Sequence, residues 1–184
     1  GAEFIATPEY CGGLRTEGSS FAPPSAPEAS HPVLSGLRAF AKDNSKFFLI
    51  GSIAIDGPNN KILNRSFLID KGGNIVSRYD KIHMFDINLS EQQSYCESAT
   101  VHGGHNAVLC QTSFAKIAQT VCYDLRFPNL YRELSQSGAE ILLVPAAFTQ
   151  KTGEAHWHIL NRARAIENGA FVVAPCAIGE VAGG

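Results

Sequence analysis

The stretch TVCYDLRFPNLYRE, residues 120–133, carries one thiol from the end of an apolar strand, through a polar turn, into a helix. Lys116 to Val121 reads as a buried strand that delivers the chain directly to Cys122. Tyr123 to Arg126 is short and polar, and Pro128 suits the first turn of a helix. At such strand-to-helix junctions α/β enzymes display nucleophiles, because the turn holds the side chain out and aims backbone N–H groups at it. A cysteine that only filled a core could sit anywhere along the strand. The stretch therefore predicts an α/β fold and a candidate nucleophile whose partners come from elsewhere in the chain.

Working outward, the C-terminal flank alternates strand and helix. AEILLVPA is a strand, GEAHWHILNRARAIENG a helix with Trp157, Leu160 and Ile166 inward, and AFVVAPC a strand. The N-terminal flank opens with AEFIATP, an apolar strand, and continues in a Gly/Ser/Pro-rich loop over residues 12–30, long enough for a lid or rim. HPVLSGLRAFAKDN puts Val33, Leu34, Leu37, Phe40 and Ala41 on one helical face. KFFLIGSIAI, KILNRSFLID and NIVSRYDKI are strands joined by the turn signals DGPNN and KGGN, and HNAVLCQTS is another strand. Hairpins in the middle with strand–helix alternation at the end predict a mixed two-sheet α/β sandwich, not a purely parallel doubly wound sheet.

The 184 residues make one domain with a sizeable core. With 17% charged residues and a net charge of −2, the chain lacks the basic surplus that nucleic-acid binding calls for. Apolar runs such as FFLIGSIAI are too short to span a bilayer, and GAEFIATPEY does not read as a signal peptide. The five cysteines are scattered and contain no C-x-x-C pair, which argues for a reducing, cytoplasmic setting and against a disulfide framework or zinc finger. His156 and His158, two apart on a helix, lack metal-site spacing. The chain opens in a strand without methionine and stops in a Gly-rich loop, so it reads as an internal segment of a longer protein.

An acylating cysteine needs a proton acceptor, an oxyanion donor and a group that activates water. Three charges stand where a buried strand should not end in charge. Glu9 follows Pro8 at the end of the first strand, Lys81 closes SRYDK, and Glu97 lies in SYCES. Singly, each would be a solvated strand-end charge. With Cys122 they form a candidate set.

TPEY, YDKIHMFD, YCES and VCYDLRFP together resemble the signature segments of the nitrilase, or carbon–nitrogen hydrolase, superfamily, and most of all its Nit-type omega-amidase and deaminated-glutathione-amidase branch. The likeness extends through VPAAFTQKTGEAHWHILNRARAIENGAFVVAP and so covers nearly the whole chain. It implies a four-layer αββα sandwich, here a single domain over residues 1–184 that is incomplete at both ends. It also implies a Glu-Lys-Cys triad with Glu9 as general base, Lys81 as cationic oxyanion donor, Cys122 as nucleophile and Glu97 as a second glutamate beside Lys81. The Tyr123 N–H completes the oxyanion site, and no metal or other cofactor is required. The resemblance further implies a homo-oligomer, with the helices at 127–137 and 154–169 as interface candidates.

For the substrate, a small amide, Arg126 could receive a carboxylate through its planar fork, or could instead make a structural salt bridge. Phe148 and Thr152 resemble the family's pocket wall, although Phe148 could equally be core. Cys96, Cys110 and Cys176 are expected to be small buried hydrophobes, and His83 to hydrogen-bond within its loop. Two readings compete with the amidase. One is a papain-like Cys–His hydrolase using His83 or His156, and the other is a non-catalytic metabolite-binding domain on the same fold.

Overall fold

The structure, a computed structural model, describes residues 1–17, 20–88 and 94–180. Period-two alternation along two sets of strands decides what each sheet face meets. The first sheet has the order Phe4–Ala6, Phe47–Asp56, Ile62–Ile69, Ile75–Asp80. The first pair is parallel and the other two antiparallel. Ser25–Ala26 returns to pair in parallel with Ala54 and Ile55. The second sheet runs Val108–Gln111, Lys116–Gln119, Ile141–Leu143, Phe171–Val173, with its first pair antiparallel and the rest parallel.

Leu49 and Leu68 of the first sheet pack with Ile117 and Leu143 of the second, forming the layer between the sheets. Their strand neighbours Phe48, Ile50, Phe67 and Ile69 turn the other way, onto Leu34 and Ala41 of helix α1 (Pro32–Asp43). On the second sheet, Ala118 and Leu142 face Tyr131 and Leu134 of α2 (Pro128–Gln136) and Trp157 and Leu160 of α3 (Gln150–Asn168). The order is thus helix, sheet, sheet, helices: the expected αββα sandwich. Strands covered on both faces read as unbroken apolar runs, which is why FFLI and ILL show no alternation.

Several sequence expectations need correction. Ile166 is 81% exposed and does not point inward. At about 100° per residue it lies opposite Trp157 on α3, and the buried stripe continues instead to Arg164. Cys96 is exposed, because it sits in the two-stranded ribbon Asp86–Asn88/Ser94–Cys96 outside the core, while Cys110 and Cys176 are half-buried. The 12–30 segment is not structureless. It holds the pair Thr16–Glu17/Ser20–Phe21 and then Ser25–Ala26, while residues 18 and 19 lie outside the described set. Among the described residues, no helix is long and apolar enough to cross a membrane.

Candidate active site

Glu9 is placed by a defect in the longest strand. The pairing of Phe47–Asp56 with Ile62–Ile69 shifts register between Ile50 and Ile53. On the opposite edge, the chain leaves the sheet after Ala6 and rejoins it at Ser25. Residues 7–11 cover that gap. Thr7 N–H donates to Leu49 O (3.0 Å), Gly51 N–H to Thr7 Oγ1 (3.0 Å), Tyr10 N–H to Ser52 Oγ (2.9 Å) and Cys11 N–H to Ser52 O (3.0 Å). Gly51 cannot be replaced without displacement. A Cβ there would stand 2.1 Å from Thr7 O, 2.3 Å from Pro8 O and 2.6 Å from Pro145 Cβ. The close approach made possible by glycine sets the Glu9 turn on the sheet.

Lys81 follows the strand Ile75–Asp80, held by its N–H to Asn64 O (3.0 Å) and by Gly104 N–H to its carbonyl (2.8 Å). Glu97 opens a single 3-10 turn, Glu97–Ala99, anchored to the start of Ile62–Ile69 through Ile62 N–H to Thr100 O (3.0 Å) and His102 N–H to Ile62 O (2.8 Å). Cys122 comes from the other sheet. Thr120 N–H donates to Leu143 O and Cys122 N–H to Pro145 O, and the chain then turns through the 3-10 segment Cys122–Arg126. The turn begins with Cys122 at φ 50°, a left-handed conformation that is uncommon outside glycine and asparagine. Such strain, of order 1–3 kcal/mol, persists only where surroundings over-determine it.

The surroundings here are Asp124 and Arg164. Asp124, fully buried, accepts from Val121 N–H (2.8 Å) and the Tyr79 hydroxyl (2.6 Å) through Oδ2, and from His83 N–H (3.1 Å) through Oδ1. His83 Nδ1 lies 2.7 Å from the same Oδ1, and its ring stacks on Phe127. One carboxylate thus ties the cysteine turn to the strand that carries Lys81. From the helical side, the Arg164 guanidinium donates twice to Leu125 O (3.1 and 2.8 Å), lies over Tyr131, and pairs with Glu167 (2.6 Å).

The two sheet ends bring Glu9, Lys81, Glu97 and Cys122 together, all four buried. The Lys81 ammonium donates to Glu9 Oε1 (3.0 Å) and to Glu97 Oε2 and Oε1 (2.8 and 3.1 Å). Asn64 Nδ2 bridges the same two carboxylates, at 2.8 Å to Glu9 and 3.2 Å to Glu97. Backbone N–H groups add to this: Ala147 donates to the other Glu9 oxygen, Oε2 (2.9 Å), and Phe85 is a second donor to Glu97 Oε2 (2.7 Å). Burial alone would lower the Lys81 pKa. The two carboxylates overcome it and hold the ammonium charged well above its ordinary range. Burial, aided by the charge of Glu9, raises Glu97 despite Lys81. Burial also pushes the Cys122 thiol well above its ordinary value, Glu9 adds to this, and Lys81 opposes it.

A cavity of about 1350 Å³ opens over this cluster. Its lining includes Glu9, Lys81 and Cys122, then Tyr123, Phe148 and Thr152. Arg126 stands outside that lining. Its guanidinium is 3.3 Å from His156 Nδ1 and lies over the Tyr123 and Phe148 rings, so it backs the wall. Lys151, in the first turn of α3, does reach the lining. His83 and His156, the residues a Cys–His pair would use, are engaged with Asp124 and Arg126 and do not line the cavity. Asn64 and Asp124 were not singled out from sequence, whereas Arg162, Arg164 and Glu167 in NRARAIEN read as a structural or dimer-facing charge network, and Arg164 does pair with Glu167. A period-two reading of KILNRSFLI offered the one available signal, since Asn64 and Ser66 are polar on the face that carries Leu68.

The family model described as carbon–nitrogen hydrolase matches residues 1–183. The chain belongs to that family. The deaminated glutathione amidase of Synechocystis sp. (strain PCC 6803 / GT-S) is 37% identical over 187 residues, which cover 97% of this chain and 66% of the relative. The omega-amidase NIT3 of Saccharomyces cerevisiae is 32% identical over 152 residues, 82% of this chain and 51% of its own. Among solved structures, the C. elegans NitFhit protein superposes with a TM-score of 0.85 at 28% identity, over 97% of this chain and 44% of that one. S. cerevisiae Nit3, described as a member of branch 10 of the nitrilase superfamily, gives 0.81 over 97% of this chain and 64% of its own. At 24% identity that superposition speaks for the fold alone. The carbon–nitrogen hydrolase chain described here spans about half to two thirds of the length of these curated relatives.

Proposed function

We propose that the full protein is an amidase that cleaves a small linear amide to acid and ammonia through a thioester on Cys122. The observation that carries this is the meeting of Glu9, Lys81 and Cys122 at one end of one cavity, with both oxygens of Glu9 already oriented. The Cys122 sulfur attacks the amide carbon while its proton passes to Glu9. The tetrahedral oxyanion sits between the Lys81 ammonium and the Tyr123 N–H, in the first turn of a 3-10 segment, where backbone N–H groups have no intrahelical acceptor. One preorganised donor of this kind is worth about 3 kcal/mol in the barrier. Glu9 returns the proton to the departing amine, releasing ammonia. It then takes a proton from the water that opens the thioester. Glu97 keeps Lys81 charged and aimed.

The relatives named as deaminated glutathione amidase and omega-amidase support an amide that carries a remote carboxylate. Two cations are near enough to be tested for it, Arg126 behind the aromatic wall and Lys151 on the lining. Five free cysteines fit a cytoplasmic location, and α2 and α3 are the proposed faces of a homo-oligomer.

Ammonia release by the full-length protein, screened over 2-oxo acid amides, deaminated peptide amides, neutral amides, N-carbamoyl compounds and nitriles, tests the reading. Carboxylated amides should be cleaved fastest. If Arg126 reads the carboxylate, Arg126→Lys should raise KM for acidic amides far more than for neutral ones, by the equivalent of about 1.5–3 kcal/mol, because a point charge does not replace the fork. Equal losses on both classes would leave Arg126 a wall residue and direct attention to Lys151→Gln. A preference for nitriles or N-carbamoyl compounds would reassign the substrate within the family.

A further inference from the structure

Tyr10 lines the cavity, and its buried hydroxyl is a polar group that the mechanism above leaves unused. Tyr10 is 3% exposed, lines the same cavity as Glu9, Lys81 and Cys122, and its oxygen has no hydrogen-bond partner among the described residues. Its position is not accidental slack. The backbone is held at φ 49° with its N–H on Ser52 Oγ, and the ring stacks on Phe21 with centroids 6.4 Å apart. An unpaired buried hydroxyl is costly and calls for an occupant that pairs with it. Burial, followed by the charges of Glu97 and Glu9, raises its pKa well above the ordinary phenol range, so it remains a donor at any working pH.

The two carboxylates nearby are already supplied. Glu9 receives Lys81, Asn64 and Ala147 N–H, and Glu97 receives Lys81, Asn64 and Phe85 N–H. Lys81 in turn directs its hydrogens at those two carboxylates. The ammonium thus supplies field to an oxyanion more readily than a dedicated hydrogen. We propose that Tyr10 is a further catalytic residue whose hydroxyl donates a hydrogen bond to the substrate amide oxygen beside Lys81 and holds it as that oxygen becomes the tetrahedral oxyanion. The phenol keeps its proton throughout, and the bond relaxes when the adduct collapses and ammonia leaves. The proposal rests on the reading of Cys122 as the nucleophile.

Tyr10→Phe in the full-length protein tests it, since the ring and its packing survive. On an amide cleaved by the wild type, kcat should fall about 10- to 100-fold, with KM moving less than about threefold and Tm unchanged or raised by loss of the unpaired hydroxyl. A second readout needs no turnover. Propionaldehyde adds to a thiol as a thiohemiacetal whose oxygen occupies the oxyanion position, and its affinity is read as protection of Cys122 from iodoacetamide. Tyr10→Phe should weaken that protection by a factor similar to the loss in kcat. Values of kcat and aldehyde affinity within twofold of wild type would overturn the proposal. So would a fall in Tm with kcat unchanged, which would assign the hydroxyl to a structural water, such as one shared with the unpaired Asn64 Oδ1. If the wild type cleaves no amide, the amidase reading fails, yet the aldehyde comparison still decides Tyr10. Absence of aldehyde protection in the wild type would refute the proposal at its base.

Discussion

Cys122 combines a left-handed backbone with a thiol that burial and Glu9 hold protonated. In the proposed mechanism the sulfur therefore attacks as a thiol that loses its proton in the same step, and Glu9 is the group assigned to take it. This makes a prediction free of any substrate. The thiolate absorbance near 240 nm, taken as wild type minus Cys122→Ala, should emerge only above the ordinary thiol value of 9.0. A full thiolate signal at pH 7 would show that Lys81 outweighs burial and Glu9 at the sulfur. The four charged or nucleophilic residues that meet here were legible in the sequence through their places at strand ends together with the resemblance of TPEY, YDKIHMFD, YCES and VCYDLRFP to the family's segments. Tyr10 was not, since an aromatic beside a glutamate reads as ordinary core. Asp124 sat in plain view two residues after the cysteine. Its reach to Tyr79 and His83, however, depends on a contact between two sheets that no local pattern encodes.

At the scale of elements, the strand Phe47–Asp56 determines where Glu9 stands, and Gly51 is the residue on which that depends. Gly51→Ala should shift the Thr7–Pro8 backbone away from the strand. Overpacking of this kind costs about 1–3 kcal/mol. The activity loss should exceed what the fall in Tm explains, because Glu9 moves with Pro8. Urea unfolding and kcat measured on the same preparation check this. A variant with normal kcat would mean that Glu9 is positioned mainly by its bonds to Asn64 and Ala147. The sequence placed each main strand and helix to within a few residues, because strands covered on both faces and amphipathic helices each leave a pattern. It misjudged α3, where Trp157 and Leu160 define a stripe that Ile166 leaves by half a turn and that Arg164 occupies instead. An arginine on a buried stripe becomes intelligible only when its acceptor, Leu125 O, is known.

On the scale of the whole molecule, neither sheet holds a complete site. Asn64 lies in the first sheet, Glu9 and Lys81 adjoin its strands and Glu97 stands on a turn anchored to it, whereas Cys122 and the Ala147 N–H that orients Glu9 follow strands of the second. The two halves are joined by the apolar layer around Leu49, Leu68, Ile117 and Leu143, and by Gln119, which donates to Ser66 across it (3.1 Å). The proposed nucleophile and base are thus held in register by the packing of the sandwich itself. The measurement that bears most directly on this account is intact-mass analysis of the full-length protein, quenched during turnover of a cleaved amide. The account predicts an added mass equal to the acyl group, mapped to the peptide containing Cys122. It predicts little or none in Glu9→Gln, which cannot accept the thiol proton, and none in Cys122→Ala, which should also release no ammonia. Sustained ammonia release by Cys122→Ala, or an acyl group mapped to any other residue, would contradict it.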